Sequence, residues 1–76
     1  MRAKAVAIDW PAVGRRIRGL RGFEMTQAEF ASRIGVSQSF LSAVEHGRNE
    51  ASAGVLLAIT REFNKSLEWL LTGAGE

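Results

Sequence analysis

Cysteine is absent from this 76-residue chain, so neither disulfides nor a thiolate metal site can staple so small a fold. That composition suits a reducing compartment, and a cytoplasmic location is expected. Long apolar runs are missing too. The longest, "AVAI" (5–8) and "VLLAI" (55–59), are too short to cross a bilayer or to form a signal-peptide core. Histidine occurs once, as His46, with no companion ligand, and reads as a polar residue at a helix end. The sequence offers no Ser-His-Asp set, metal-ligand cluster or phosphate loop. No catalytic residue, cofactor or metal is therefore expected, and enzyme activity is set aside.

What is present describes one small globular domain. The hydrophobic fraction of 46% is that of a folded chain, and at this length about 60% of the unfolded surface is buried on folding. The formal net charge is only +2, but it is unevenly placed. Residues 1 to 21 hold Arg2, Lys4, Arg15, Arg16, Arg18 and Arg21 against Asp9 alone, a net of +5. The remainder carries four basic and seven acidic residues, a net of −3. A basic segment on an otherwise acidic body points to an anionic partner, although a solvated arginine-rich helix face has the same composition.

Periodicity divides the chain into helices. Residues 1 to 8 lack a helical period and read as an N-terminal arm. Trp10, Val13, Ile17 and Leu20 recur at spacings of three and four, predicting a helix from about Asp9 to Arg21. Asp9 suits its N-cap, and Pro11 is tolerated in the first turn because no intrahelical N–H is lost there. The second helix opens on a capping box, Thr26-Gln27-Ala28-Glu29, flanked by Met25 and Phe30 as a hydrophobic staple. Gly35 suits its left-handed end. Ser37 opens a third helix, with Val36 and Leu41 as a second staple, and Gly47 closes it. Val55, Ile59 and Phe63, with Leu56 and Leu57 beside them, mark a fourth helix from about Ser52 to Phe63. Asn64 or Ser66 opens a fifth, in which Leu67, Leu70 and Leu71 surround Trp69, and Gly73 ends it. No strand pattern or repeat competes. The expected fold is all-α: five short helices spanning 9–73 and a tail at 74–76.

The second and third helices meet the steric demands of a helix-turn-helix. A small residue must face the partner helix where the two cross, and Ala31 supplies it. The turn needs positive φ, which Gly35 takes without steric cost. Val36 can tuck beneath the pair. Leu41 and Val44, three apart, can anchor the second helix, while Phe30 and Ile34 hold the first from below. An ordinary helical hairpin demands no such small-glycine-apolar series.

The stretch "TQAEFASRIGVSQSFLSAVEHGRN" (26–49) closely resembles the helix-turn-helix of the phage repressor and Cro family, also called the XRE family. "RIRGLR" before it and "LLAITREFNKSLEWLLTG" after it resemble that family's first, fourth and fifth helices. The resemblance runs from about Trp10 to Gly73. It departs in the short loop "GFEM" and at Ala51, where many relatives carry proline.

The resemblance implies a five-helix, lambda-repressor-like DNA-binding domain whose third helix enters the major groove. Base-reading residues are implied at Gln38, Ser39 and Ala43, and at Asn49 just past the helix, with Ser42 on the same outer face. Their chemistry fits: glutamine can bond adenine N6 and N7, serine donates or accepts, and alanine can rest on a thymine methyl. Gln27 is implied as a phosphate contact from the start of the second helix. Ser37, Arg48, Arg15, Arg16, Arg18 and Arg21 are further phosphate candidates. Such contacts position without reading sequence. The resemblance also implies a pair between Arg21 and Glu45 that braces the third helix. The expected function is a transcriptional regulator, a repressor that binds a palindromic double-stranded operator as a homodimer, with no membrane association. The alternative is an antitoxin that binds a partner protein and represses its own operon.

Overall fold

A computed structural model describes residues 4–75. They form α1 (Trp10–Arg21), α2 (Gln27–Ile34), α3 (Gln38–Glu45), α4 (Ala53–Phe63) and α5 (Leu67–Thr72), with no strand among the described residues. Residues 4–8 run into α1 without regular structure. Arg2, assigned to the arm, lies outside the described residues.

Every helix starts on a short polar side chain that accepts a bond from the amide three residues on. Asp9 caps Ala12, Thr26 caps Glu29, Ser37 caps Phe40, Ser52 caps Val55 and Ser66 caps Trp69. Each such cap contributes about 1 kcal/mol, which matters in helices of 6 to 12 residues that would not persist alone. Of the two candidate starts for α5, Ser66 is the cap. Asn64 instead takes a left-handed φ of 54° and closes α4. At α2 the capping box is complete: the Thr26 N–H donates to Glu29 Oε1 at 2.9 Å, and the Glu29 N–H to Thr26 Oγ1 at 3.1 Å.

The core draws on all five helices. Val13 and Ile17 from α1, Phe30, Ala31 and Ile34 from α2, Leu41 and Val44 from α3, Leu56 and Ile59 from α4, and Leu70 from α5 are buried together. The Phe30 and Phe63 rings meet edge-on with centroids 5.4 Å apart, a geometry favoured by the ring quadrupole. Two buried residues carry no hydrophobic signal of their own. Ala51 packs in the loop before α4, and Thr60 loses its solvent contact by donating its hydroxyl to the Leu57 carbonyl at 2.9 Å. Conversely, Leu57 and Leu67, expected beside the apolar rows, are exposed at 45% and 47%. These two positions point away from the core, so about half of each side chain stays in solvent.

The joint between α1 and α3 is close. Gly14 is buried in mid-helix, and a Cβ there would collide with the backbone carbonyl oxygens of Val44 and Glu45. The two helices thus meet backbone to backbone at the end of α3.

Candidate nucleic-acid interface

The turn between α2 and α3 is three residues long. Gly35 has φ 77°, which an L side chain resists, and its neighbour's amide, from Val36, donates to the Ala31 carbonyl at 3.0 Å. Val36 is half-buried against the core, and Ala31 is buried between the helices. These are the residues on which the sequence argument for the motif rests.

Along α3, Leu41, Val44 and Glu45 face inward. Gln38 and Ser39 are exposed, with Ser42 and Ala43 half-buried one turn further on the same side. That outer face is uncharged from Gln38 to Ala43. The helix ends at Glu45, one residue earlier than the 38–46 span expected, with His46 as C-cap. The Arg48 amide then donates to the Ala43 carbonyl at 2.8 Å and the Gly47 amide to Val44 at 3.0 Å, a Schellman closure. Gly47 has φ 76° and lies against the Pro11 ring, so this end of α3 rests on the start of α1. Asn49 is exposed just beyond. His46 Nδ1 lies 2.8 Å from the Ser42 carbonyl, and no cluster of three metal-ligating side chains exists among the described residues.

Beneath α3, Glu45 forms a hub. Arg21 Nε donates to its Oε2 and Arg21 Nη2 to its Oε1, both at 2.9 Å, while Arg21 Nη1 reaches the Met25 carbonyl at 3.2 Å. Gln27 Nε2 also donates to Glu45 Oε1, at 2.9 Å. The Glu45 side chain is 1% exposed and that of Arg21 15%. Burial pushes the Glu45 carboxyl upward, but the bonds from Arg21 and Gln27 and the nearby positive charges outweigh it, and the group sits below the usual carboxylate range. The bond to Glu45 in turn raises Arg21. This differs from a screened surface pair: three helices are tied through one carboxylate. Arg21 makes three of these bonds from α1, an arrangement that braces the end of α3.

The remaining cations divide sharply. Arg15, Arg18 and Arg48 are exposed, and none makes a side-chain hydrogen bond or salt bridge among the described residues. Arg16 is committed elsewhere. Its Nη1 donates to the Leu70 carbonyl at 3.0 Å, and its guanidinium lies so close over Gly73 that a side chain there would strike it. In this structure Arg16, expected among the phosphate contacts, clamps the end of α5 instead of standing free like Arg15 and Arg18. Its periodicity on α1 could not reveal this, because the acceptor is a backbone carbonyl 54 residues away. Arg15, Arg18, Gly19, Phe23 and Thr26 line an open cleft of about 570 Å³ between α1 and the start of α2. Phe23 at its rim is fully exposed and carries no signal in the sequence reading.

Residues 15–70 match the helix-turn-helix family model. The chain is 36% identical over 64 residues to a propionyl-CoA carboxylase regulator of Cereibacter sphaeroides, covering 83% of this chain and 14% of that protein. It is 36% identical over 55 residues to the antitoxin PezA of Streptococcus pneumoniae, covering 71% and 35% respectively. The chain thus spans about a third or less of these two curated relatives. Among solved structures, the P22 c2 repressor in complex with a synthetic operator superposes with a TM-score of 0.74 at 32% identity, covering 80% of this chain and 94% of the other. The restriction-modification controller protein C.AhdI of Aeromonas hydrophila gives 0.73 at 25% identity, covering 83% and 97%. With its five helices, Gly35 turn and Glu45 hub in place, the chain belongs to the helix-turn-helix family of the phage repressor, Cro and XRE type, a family of DNA-binding transcriptional regulators.

Proposed function

We propose that the protein is a sequence-specific double-stranded DNA-binding transcriptional repressor that reads a palindromic operator with α3. The observation that carries this is the uncharged outer face of α3, with Gln38 and Ser39 exposed on a helix whose other side is anchored by Leu41, Val44 and Glu45. Short polar side chains there can approach base edges closely, with Gln38 suited to adenine, Ser39 and Ser42 to either donors or acceptors, and Ala43 to a thymine methyl. Asn49 stands at the far end of the same surface.

Phosphates are gripped on either side. The amides of Gln27 and Ala28 have no intrahelical partner, and Gln27 keeps a second amide hydrogen beyond the one given to Glu45. Ser37, Arg48, Arg15 and Arg18 complete the set, while Arg16 and Arg21 hold the scaffold. Glu45 fixes Gln27 and the end of α3 relative to each other, so grip and reading share one frame. No catalytic or cofactor chemistry enters this role. The P22 c2 repressor was solved in complex with a synthetic operator, which supports a DNA ligand.

A single α3 makes too few base contacts for genomic discrimination, and the reading therefore includes a homodimer across half-sites about 34 Å apart. Its seam is the outer side of α5, where Leu67, Leu71, Val6 and Ile8, with Glu68 and Thr72 beside them, line a mainly apolar groove of about 260 Å³. Selection from a random duplex pool tests the whole reading: a palindrome is expected, and failure to enrich any sequence would refute it. On the selected site, Gln38→Ala should cost about 1–3 kcal/mol and relax preference at one base position. Equal weakening on random DNA would count against base reading.

The match to the antitoxin PezA favours one second reading, an antitoxin that also represses its own operon. A partner protein that copurifies with the chain would support it.

A further inference from the structure

We infer that the cleft between α1 and the start of α2 seats the sugar-phosphate strand flanking the half-site, with Phe23 laid against the deoxyribose and Arg15 and Arg18 on neighbouring phosphates. This deepens the proposed function and rests on it. Three independent features meet in the cleft. Its walls carry Arg15, Arg18 and Arg21 and no acidic side chain, and the first two make no side-chain hydrogen bond or salt bridge among the described residues, although the charge of Arg18 also acts on Glu45. Standing three apart on α1, they project as neighbours a few ångströms apart, which suits successive anions along a polymer better than one compact ion.

The second feature is Gly19. It sits in the interior of α1, where glycine costs helix stability, yet a Cβ there would meet nothing within 4 Å. Packing within the chain gives no reason for it, in contrast to Gly14. Its effect is to leave the cleft wall bare, as close approach of another molecule's backbone requires. The third is Phe23, fully exposed at the rim, whereas Phe30, Phe40 and Phe63 are drawn into or against the core. An uncharged ring beside two guanidiniums matches a strand that alternates apolar sugar with phosphate.

Position selects the flank. Thr26 of the cleft caps α2, the helix that crosses the DNA backbone in this motif, and Arg21 ties the cleft to Glu45 at the end of α3. Arg16, which faces α5, lies on a different side of α1 from Arg15, Arg18 and Gly19. The cleft therefore opens away from the α5 seam, outward along the duplex.

The test uses the full chain and the selected palindrome as two duplexes, one trimmed to the read bases and one extended by half a helical turn, about five base pairs, at each end. The wild type should bind the longer duplex about tenfold more tightly, equivalent to 1.4 kcal/mol. Phe23→Ser and the double variant Arg15→Ala/Arg18→Ala should erase that advantage without changing base preference. The double variant should also lower the salt slope on the longer duplex by about 2, whereas Phe23→Ser should leave it unchanged. Gly19→Leu, which removes the helix cost, should erase the advantage by filling the cleft. Equal affinity of the wild type for both lengths, or a Phe23→Ser variant that keeps the advantage, overturns the inference and leaves α3 reading intact. If the wild type enriches no duplex at all, the function falls and this inference with it.

Discussion

Glu45 is the side chain on which the motif's geometry converges, and its ionisation sets a stability window. Its folded-state value is depressed, because Arg21 and Gln27 bond the charged form more than burial disfavours it. The unfolded value is about 4.3. A depressed carboxylate contributes its full stabilisation above the unfolded value and loses it as pH falls through the folded one. Thermal melts should therefore be flat from pH 7 to about 5 and decline below about 4. Glu45→Ala should cost about 3 kcal/mol, since Arg21 is left mostly buried without its partner, and should flatten the acid decline. An unchanged acid limb in that variant would move the effect to other groups, such as Glu29, which its bonds to Thr26 also depress. The pairing of Arg21 with Glu45 was legible through the family resemblance. Its burial, and the recruitment of Gln27, were not: glutamate near a helix end ordinarily reads as exposed, and nothing in residues 26–29 announces a bond to a residue 18 positions on.

The helices themselves were largely legible because each carries its own punctuation. Asp9, Thr26, Ser37, Ser52 and Ser66 cap the five starts, and local capping chemistry can be read from a few neighbouring residues. What periodicity could not supply was which apolar positions a short helix leaves uncovered. Leu57 and Leu67 sit beside true core residues in sequence, but the fold leaves nearly half of each side chain in solvent. Charge on α1 was similarly ambiguous, as four arginines in seven residues look alike until their acceptors are seen. Substitution separates them. Arg16→Ala should lower the melting temperature through loss of the α5 clamp, about 1 kcal/mol, and leave the dependence of DNA affinity on salt unchanged. Arg18→Ala should leave the melting temperature alone and reduce the salt slope by about 1. Swapped outcomes would reverse the assignment.

At the scale of the whole molecule, the domain presents two surfaces of opposite character. One is the uncharged α3 face between cationic flanks. The other is the apolar groove of α5 with Val6, which is 72% exposed. Leu67→Asp should weaken self-association at least tenfold in sedimentation equilibrium, about 1.4 kcal/mol, while the monomer keeps its fold because Leu67 lies outside the core. Affinity for a palindrome should drop in parallel and affinity for a lone half-site should not. A variant that sediments as the wild type does would place the seam elsewhere. The bare meeting of α1 and α3 at Gly14 bears on how such a pair accommodates its target. At that point main chain rests on main chain with no side chain between to change rotamer, so the middle of α1 and the end of α3 are coupled as one body. In the proposed dimer, any mismatch between the spacing of two half-sites and the reach of two protomers would then fall on curvature of the duplex or on slippage between the copies.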